Sequence, residues 1–230
     1  LAKTAISWLS LSKTDNIMEA AAIKPAQAKN GKISLRFGDW EVRHFQSQKM
    51  TDEEFYAFCR ENADLKIEQD IFGNITVMPP VSPESGNFES EVGIDVGIWN
   101  RQTQLGKTFS SSAMFTLPDG SKRMPDASWI SLERYNRLSK KERQSFARIV
   151  PDFVIEVRSP IDSLDELKAK MTDVWIVNGV RLAWLLDPAS RTAWVYRPDG
   201  SIETVSGFDK KLSGEEVLPG FELSLSVLKV

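Results

Sequence analysis

The sequence contains one cysteine and one histidine in 230 residues, Cys59 and His44. A single cysteine forms no internal disulfide, and these two residues are too few for a zinc cluster or a multi-histidine metal site. They also argue against Ser-His-Asp and Cys-His mechanisms. A metal site in this chain would have to use oxygen ligands, which favours Mg²⁺ or Mn²⁺.

Long apolar runs are missing as well. No stretch approaches 18 uninterrupted apolar residues, and the first 20 residues lack the apolar segment of a secretory signal. We therefore expect a cytoplasmic protein with no membrane contact and no organic cofactor. The net charge of −3 excludes a surface coated with basic residues, although a local basic patch could still line a nucleic-acid groove.

The composition, 41% hydrophobic and 27% charged, is that of an ordinary globular protein, and the length suits one main domain. We expect residues 1–48 to be an N-terminal extension of uncertain order and residues 49–230 to form the domain. Turn residues, capping boxes and apolar periodicity divide that domain into predicted elements. The predicted elements are a helix from Thr51 to Asn62, two strands between Leu65 and Met78, a helix from Phe88 to Gln102, strands Lys107–Leu117 and Ser121–Ile130, a strand within Val150–Pro160, a helix from Leu164 to Asn178, a strand Arg181–Leu186, and a hairpin of Ala193–Arg197 with Ser201–Val205.

The apolar run Val150–Pro160 is unusual because it contains acids inside a strand pattern. With a period of two, Asp152, Glu156 and Arg158 share one face, and apolar side chains occupy the other. An unpaired buried carboxylate costs several kcal/mol, so buried acids here would need a cation or a basic partner. A solvated strand face is the alternative explanation.

Other charged residues have two explanations each. Glu91 lies in an early turn of its predicted helix, where an exposed acid would also be ordinary. Asp126 stands at the start of a strand and shares a face with Ser128. Lys168 and Lys170 flank the apolar stripe of their helix at similar angles, so periodicity does not decide which faces the acids.

The segment RYNRLSKKERQSFARI is the most basic in the chain and would suit contacts with phosphates, or it could be a solvated connecting helix.

Two long segments carry a resemblance to a known family. They are WNRQTQLGKTFSSSAMFTLPDGSKRMPDASWISLERY and VPDFVIEVRSPIDSLDELKAKMTDVWIVNGVRLAWLLDP. With the opening TDEEFYAFCRENADLKIE and the closing LPGFEL, they resemble the Uma-two family of restriction endonucleases, a branch of the PD-(D/E)XK nuclease superfamily. The resemblance spans roughly Met50 to Gly220. It implies an α/β (α+β) fold with a mixed central sheet flanked by helices, and a cleft that cuts phosphodiester bonds with Mg²⁺.

The resemblance also assigns residues. Asp126 and Glu156 match the superfamily's two strand acids, Glu91 matches a helix acid, and LKAKM selects Lys170 as the catalytic lysine. The implied metal ligands are Asp126 and Glu156, with Glu91 and the Val157 carbonyl. The superfamily pattern places a lysine where this chain has Arg158, and arginine is a poor base because it stays protonated. Asp152 would assist, or would pair with Arg158.

The expected partner is DNA, bound by a homodimer, since double-strand cutting by single-site nucleases needs two active sites. The expected nucleic-acid contacts are all basic and are Arg101, Lys122, Arg123, Lys140, Lys141 and Arg143. Two rival functions remain at this stage. One is a nucleic-acid-binding module that keeps the fold without cleavage, and the other is a structural or partner-binding domain.

Overall fold

The structure is a computed structural model that describes residues 25–29, 32–37, 40–45 and 49–229. The chain divides into two units, Leu1–Gln46 and Ser47–Val230. In the first, strands β1 (Pro25–Lys29), β2 (Lys32–Phe37) and β3 (Trp40–Phe45) pair antiparallel in the order β1-β2-β3. The rest of the predicted extension, up to residue 48, lies outside the described residues.

The second unit mixes helices and strands along the chain. Its helices are α1 (Asp52–Glu61), α2 (Pro83–Thr103), α3 (Leu132–Asn136), α4 (Lys140–Arg143) and α5 (Leu164–Ala169), with a π-helical turn at Lys170–Ile176 and a 3₁₀ turn at Leu225–Leu228. Its strands are β4 (Lys66–Gln69), β5 (Ile75–Met78), β6 (Gly106–Ser110), β7 (Phe115–Thr116), β8 (Lys122–Arg123), β9 (Ala127–Ser131), β10 (Phe153–Val157), β11 (Leu182–Asp187), β12 (Thr192–Tyr196), β13 (Ile202–Ser206), β14 (Lys211–Ser213) and β15 (Glu222–Ser224).

A mixed six-stranded sheet forms the centre, in the order β13-β12-β11-β10-β9-β6. Only β10 and β11 pair in parallel, and the crossover between them contains α5. A second sheet has the order β5-β4-β8-β7, and β14 pairs with β15. The predicted α/β fold, a mixed sheet flanked by helices, is confirmed.

Strand β10 is buried on both faces. Phe153, Ile155 and Val157 pack in a core with α2 and the C-terminal segment. Val154, on the opposite face, packs in a second core with the π-helical turn. Since Glu156 is only 4% exposed and Asp152 is fully buried, this strand is not a solvated edge face. The two acids therefore need partners inside the protein.

Two predicted strands are interrupted. Lys107–Leu117 divides into β6 and β7, which belong to different sheets, because Ser110 to Ser112 form a turn closed by the Ala113 N–H and the Ser110 carbonyl. The predicted strand Ser121–Ile130 likewise divides into β8 and β9 at Pro125, which has no N–H to donate to a ladder. Both interruptions lie where the two sheets diverge, and Asp126 follows the second.

The helices begin where their capping residues predict. Thr51 and Glu54 form the capping box of α1. Helix α2 begins at Pro83, five residues before the predicted start, because Ser82 caps it and Pro83 suits the first turn. In the described part of the chain, no helix is both long and apolar enough to cross a membrane.

Candidate active site

Asp126 lies at the end of the β9 and β10 ladder. The last paired residues of that ladder are Ile155 and Ala127, so the Val157 N–H has no partner on β9. It donates instead to Asp126 Oδ2 at 2.7 Å. Because the N–H and C=O of one strand residue point to the same side, the Val157 carbonyl also faces Asp126. One carboxylate and one main-chain oxygen therefore converge at this sheet end.

Glu156 points to the face of β10 that packs against the π-helical turn, and two donors there hold one of its oxygens. Trp175 Nε1–H donates to Glu156 Oε1 at 2.8 Å, and Lys170 Nζ lies 2.8 Å from the same atom. Lys168 is directed elsewhere, with its ammonium 4.5 Å from the centre of the Trp194 ring. Periodicity left open which of the two lysines faces the acids. In the structure it is Lys170.

The π-helical turn explains how Lys170 and Trp175 reach the same oxygen. In an α-helix, residues five apart are separated by about 140° around the axis, since each residue turns about 100°. The turn at Lys170–Ile176 bonds residues five apart, as in the 3.1 Å bond from Val177 N to Thr172 O. The wider turn reduces that angular separation. Such π turns inside helices are frequent at functional sites.

Glu68 joins the same group of charges and was not identified in the sequence. It lies on β4, is 3% exposed, and accepts from the Met124 N–H at 2.8 Å. Arg123 donates to its other oxygen at 3.0 Å, and Lys170 Nζ lies 3.9 Å away. An acid in the short alternating segment Lys66-Ile67-Glu68 was the available signal, but its partners lie 55 or more residues away.

The electrostatics of the site follow from this crowding. Burial, with the nearby Glu89 charge, raises the pKa of Asp126 to about 6. Burial raises the pKa of Glu156 to about 7; the Lys170 charge opposes this shift, and Asp126 adds to it. Burial alone would lower the pKa of Lys170, but its acidic neighbours outweigh burial and raise it. Burial also favours a raised pKa for Glu68, yet Lys170 and Arg123 outweigh it and lower that pKa.

The helix acid nearest the site is Glu89 rather than Glu91. Glu89 and Asp126 line the same groove, and the Glu89 charge adds to the effect of burial in raising the pKa of Asp126. Burial raises the pKa of Glu89, and its carboxylate accepts a hydrogen bond from Ser111. Glu91 lies about 200° away around α2 and interacts with Asp95. The structure therefore does not bring Glu91 to the predicted place.

The family of the chain is given by its sequence. The sequence model of the Uma2 family, described as "Putative restriction endonuclease", matches residues 52–226. The chain belongs to the Uma2 family. The matched region contains all of the acids at the site and Lys170, which supports a nuclease.

A solved structure agrees with the fold of this Uma2 protein. A crystal structure described as a "putative nuclease belonging to DUF820" from Anabaena variabilis ATCC 29413 is 22% identical, with a TM-score of 0.61. The match covers 78% of this chain and 97% of that one. A cryo-EM DrdV–DNA complex is 12% identical over 53% of this chain and 12% of that chain, and its TM-score of 0.31 is too low to support a common fold. No curated protein matches the sequence significantly.

Asp152 and Arg158 lie outside the acid cluster of the Uma2 site and do not pair with each other. Asp152 accepts from the Ser131 N–H at 2.8 Å and from Arg134 at 2.7 Å, at the opposite end of β10 from Glu156. Arg158 donates to Asp187 at 3.0 Å. Their predicted pairing is wrong because each has a nearer partner. Each forms its own buried or half-buried ion pair, at opposite ends of β10.

The basic residues predicted to contact nucleic acid fall into two groups. Lys122 is 1% exposed and donates to Gln69, and Arg123 pairs with Glu68. Both side chains therefore bind groups inside the protein. The exposed members are Arg101, Lys140, Lys141 and Arg143. Of these, Arg101 lines the groove that contains Asp126, whereas the other three lie on α4.

The family implies a divalent cation at this site. Among the described residues, no three His, Cys, Asp or Glu side chains are close enough to enclose a metal. Asp126 Oδ1 and Glu156 Oε2 accept no hydrogen bond from the described residues, and the Val157 carbonyl faces Asp126. Mg²⁺ commonly binds through one or two carboxylates and keeps several waters. These oxygen atoms are of the type that a hard divalent cation prefers, and water would have to complete most of its shell.

Proposed function

We propose that this Uma2 protein is a Mg²⁺-dependent endonuclease that hydrolyses phosphodiester bonds of DNA, in the cytoplasm and as a homodimer. One observation carries the proposal: Asp126 precedes β9 and Glu156 lies on the adjacent β10, and each has one oxygen held by the protein and one that accepts from none of the described residues. Lys170 places a positive charge 2.8 Å from Glu156. This combination suits a hard cation and an anionic substrate.

Each residue has a role in this proposal. Asp126 and Glu156 would hold the cation with the Val157 carbonyl, and a cation there would supply Lewis acidity toward a phosphoryl oxygen and the attacking water. The Val157 N–H fixes one Asp126 oxygen, and Trp175 fixes one Glu156 oxygen, so the remaining oxygens keep a set direction. Pre-set geometry of this kind lowers the cost of organising the transition state.

Lys170 acts through its charge. Its acidic neighbours raise its pKa, so the side chain at neutral pH is an ammonium. It stabilises negative charge that develops on the phosphoryl group and orients the attacking water. Glu68, bound to Arg123 and facing Lys170, is a positioning residue that keeps the ammonium directed at Glu156.

The test is a plasmid-nicking assay with purified full-length protein. We expect nicked and linear products with Mg²⁺ or Mn²⁺ and no cleavage in EDTA, with activity restored when excess metal is added. A protein that retards DNA in a gel but cuts it with neither metal would be a binding module, and one that does neither would be a structural domain. Sedimentation of the same sample measures whether the protein is a dimer.

A paired substitution tests which acid of α2 assists cleavage. Glu89→Gln should reduce the cleavage rate by about tenfold or more, the order of a positioned acid–base group. Glu91→Gln is the matched control and should cut at the wild-type rate, because its carboxylate lies toward Asp95. Initial rates on supercoiled plasmid give the comparison. Equal losses in both variants, or a loss only in Glu91→Gln, would contradict the assignment.

A further inference from the structure

A groove of about 410 Å³ runs along one side of α2 and reaches the candidate active site. One wall is the face of α2 that carries Glu89 and Arg101, and the other is β6 with Ser110 and the following serine. Asp126 lies at one end. Twelve residues separate Glu89 from Arg101, so the wall extends about 18 Å along the helix axis at 1.5 Å per residue.

The α2 wall contains three glycines, Gly86, Gly93 and Gly97. Glycine inside a helix costs about 1 kcal/mol relative to alanine, so each position carries a cost. A Cβ added at Gly93 or Gly97 would meet no atom within 4 Å, and at Gly86 it would make an ordinary 3.7 Å contact with Val81. Packing against the described residues therefore does not require glycine at these positions. Something outside the chain that approaches the helix backbone would require it.

The polar and basic side chains in the groove indicate what kind of molecule approaches α2. Ser90 on α2, with Thr108, Ser110 and Ser111 on the facing wall, offers hydroxyl donors along its length. Arg101 is exposed and makes no ion pair with the described residues, unlike the arginines bound to acids elsewhere in the second unit. Hydroxyls and arginine are the usual donors to the phosphates and sugars of nucleic acids.

We propose that the α2 groove holds the sugar-phosphate backbone of one nucleic-acid strand on one side of the bond to be cut. Arg101 contacts a phosphate several nucleotides from Asp126, the hydroxyls contact the phosphates between them, and Gly93 and Gly97 let that backbone approach the helix. The proposal rests on the nuclease function proposed above and adds where the substrate lies. Contacts of this kind carry no base sequence, so binding here is salt-dependent and sequence-tolerant.

Filling the groove tests the proposal. At Gly97→Leu the new Cβ meets no described atom within 4 Å, and leucine has a higher helix propensity than glycine, so the variant should fold while its side chain blocks the strand. Gln102→Leu is the matched control, since it adds the same side chain to an exposed position of α2 outside the groove. Arg101→Gln removes the phosphate contact, and Arg60→Gln removes an exposed positive charge elsewhere.

The measurements are fluorescence anisotropy with a labelled DNA oligonucleotide in Ca²⁺, cleavage in Mg²⁺, and thermal unfolding. We expect Gly97→Leu to weaken binding and slow cleavage about tenfold or more, the effect of one lost good contact, with an unchanged or higher Tm. Arg101→Gln should weaken binding to different sequences equally and reduce the slope of log affinity against log salt by about 1. Both controls should match wild type.

The outcomes separate the two proposals. If wild type binds and cuts DNA and Gly97→Leu does so equally well, the groove is not the strand path, although the nuclease function stands. If Gly97→Leu alters the oligomeric state without weakening DNA binding, the groove is a contact between copies and the strand path is overturned. If wild-type protein neither binds nor cuts DNA, both proposals fall.

Discussion

Replacing Asp126 by asparagine should abolish cleavage and at the same time raise the free energy of unfolding at pH 8. The amide oxygen of asparagine can still accept the 2.7 Å bond from the Val157 N–H, so the sheet end keeps its geometry. The variant loses a carboxylate that burial and Glu89 disfavour in its charged form. It also loses a ligand that we propose for the cation. Activity and stability should therefore move in opposite directions.

The pH dependence gives the sign of this effect. The folded-state pKa of Asp126 is about 6, above its usual value of 3.8, so the folded protein holds this proton more tightly than the unfolded chain. In wild type, stability from this group is greatest below pH 4 and is lost as the pH rises from about 4 to about 6. The asparagine variant lacks that loss. Its advantage should be about 3 kcal/mol at pH 8 and should be small near pH 4.

Urea unfolding in EDTA at pH 4, 6 and 8 measures the stability, and plasmid nicking in Mg²⁺ measures the activity. Asp95→Asn is the matched control: burial and Glu91 raise the pKa of Asp95 as well, but this residue lies outside the groove. That control should gain some stability and cut normally. A variant at Asp126 that unfolds more easily than wild type at pH 8, or one that still cuts, would contradict this account of the site.

The strand acids could be predicted from local sequence, because a strand alternates its faces and Glu156 stands between buried apolar residues. The same rule put Asp152 on the Glu156 face, and both are indeed buried. Alternation does not report which long-range partner a buried acid takes. Asp152 meets Arg134 only after β9 and β10 pair, and Arg158 meets Asp187 only after β10 and β11 align.

Glu68 and Glu89 were missed for a related reason. Glu68 becomes a site residue through Met124 and Arg123, which β8 brings beside β4 in the second sheet. Glu89 was not singled out because α2 carries several acids, and only their positions relative to β6 distinguish them. The π-helical turn was also invisible, since the periodicity of its apolar residues fits an α-helix. Such features depend on contacts between elements distant in sequence.

Replacing Lys170 by methionine should have the other large effect, on stability as well as cleavage. Lys170 Nζ lies 2.8 Å from Glu156 and 3.9 Å from Glu68, and both acids are almost fully buried. Removing one member of a buried charge group leaves the others uncompensated, which costs about 3 kcal/mol or more. Cleavage should fall by about a hundredfold or more, as when a group that stabilises transition-state charge is lost.

Two comparisons separate this charge effect from general damage to the helix. Lys168→Met, two residues earlier, removes a lysine that contacts the Trp194 ring and should leave both stability and cleavage near wild type. Adding Glu156→Gln to Lys170→Met removes one uncompensated carboxylate while an amide oxygen still accepts from Trp175, so part of the lost stability should return without activity. The Lys170 charge holds the pKa of Glu156 down, so in Lys170→Met Glu156 should take up its proton above pH 7, and the deficit should shrink as the pH falls toward 7. Equal stability of Lys168→Met and Lys170→Met at pH 8 would mean that Lys170 does not neutralise the buried acids, and the proposed role of its ammonium in cleavage would lose its physical basis.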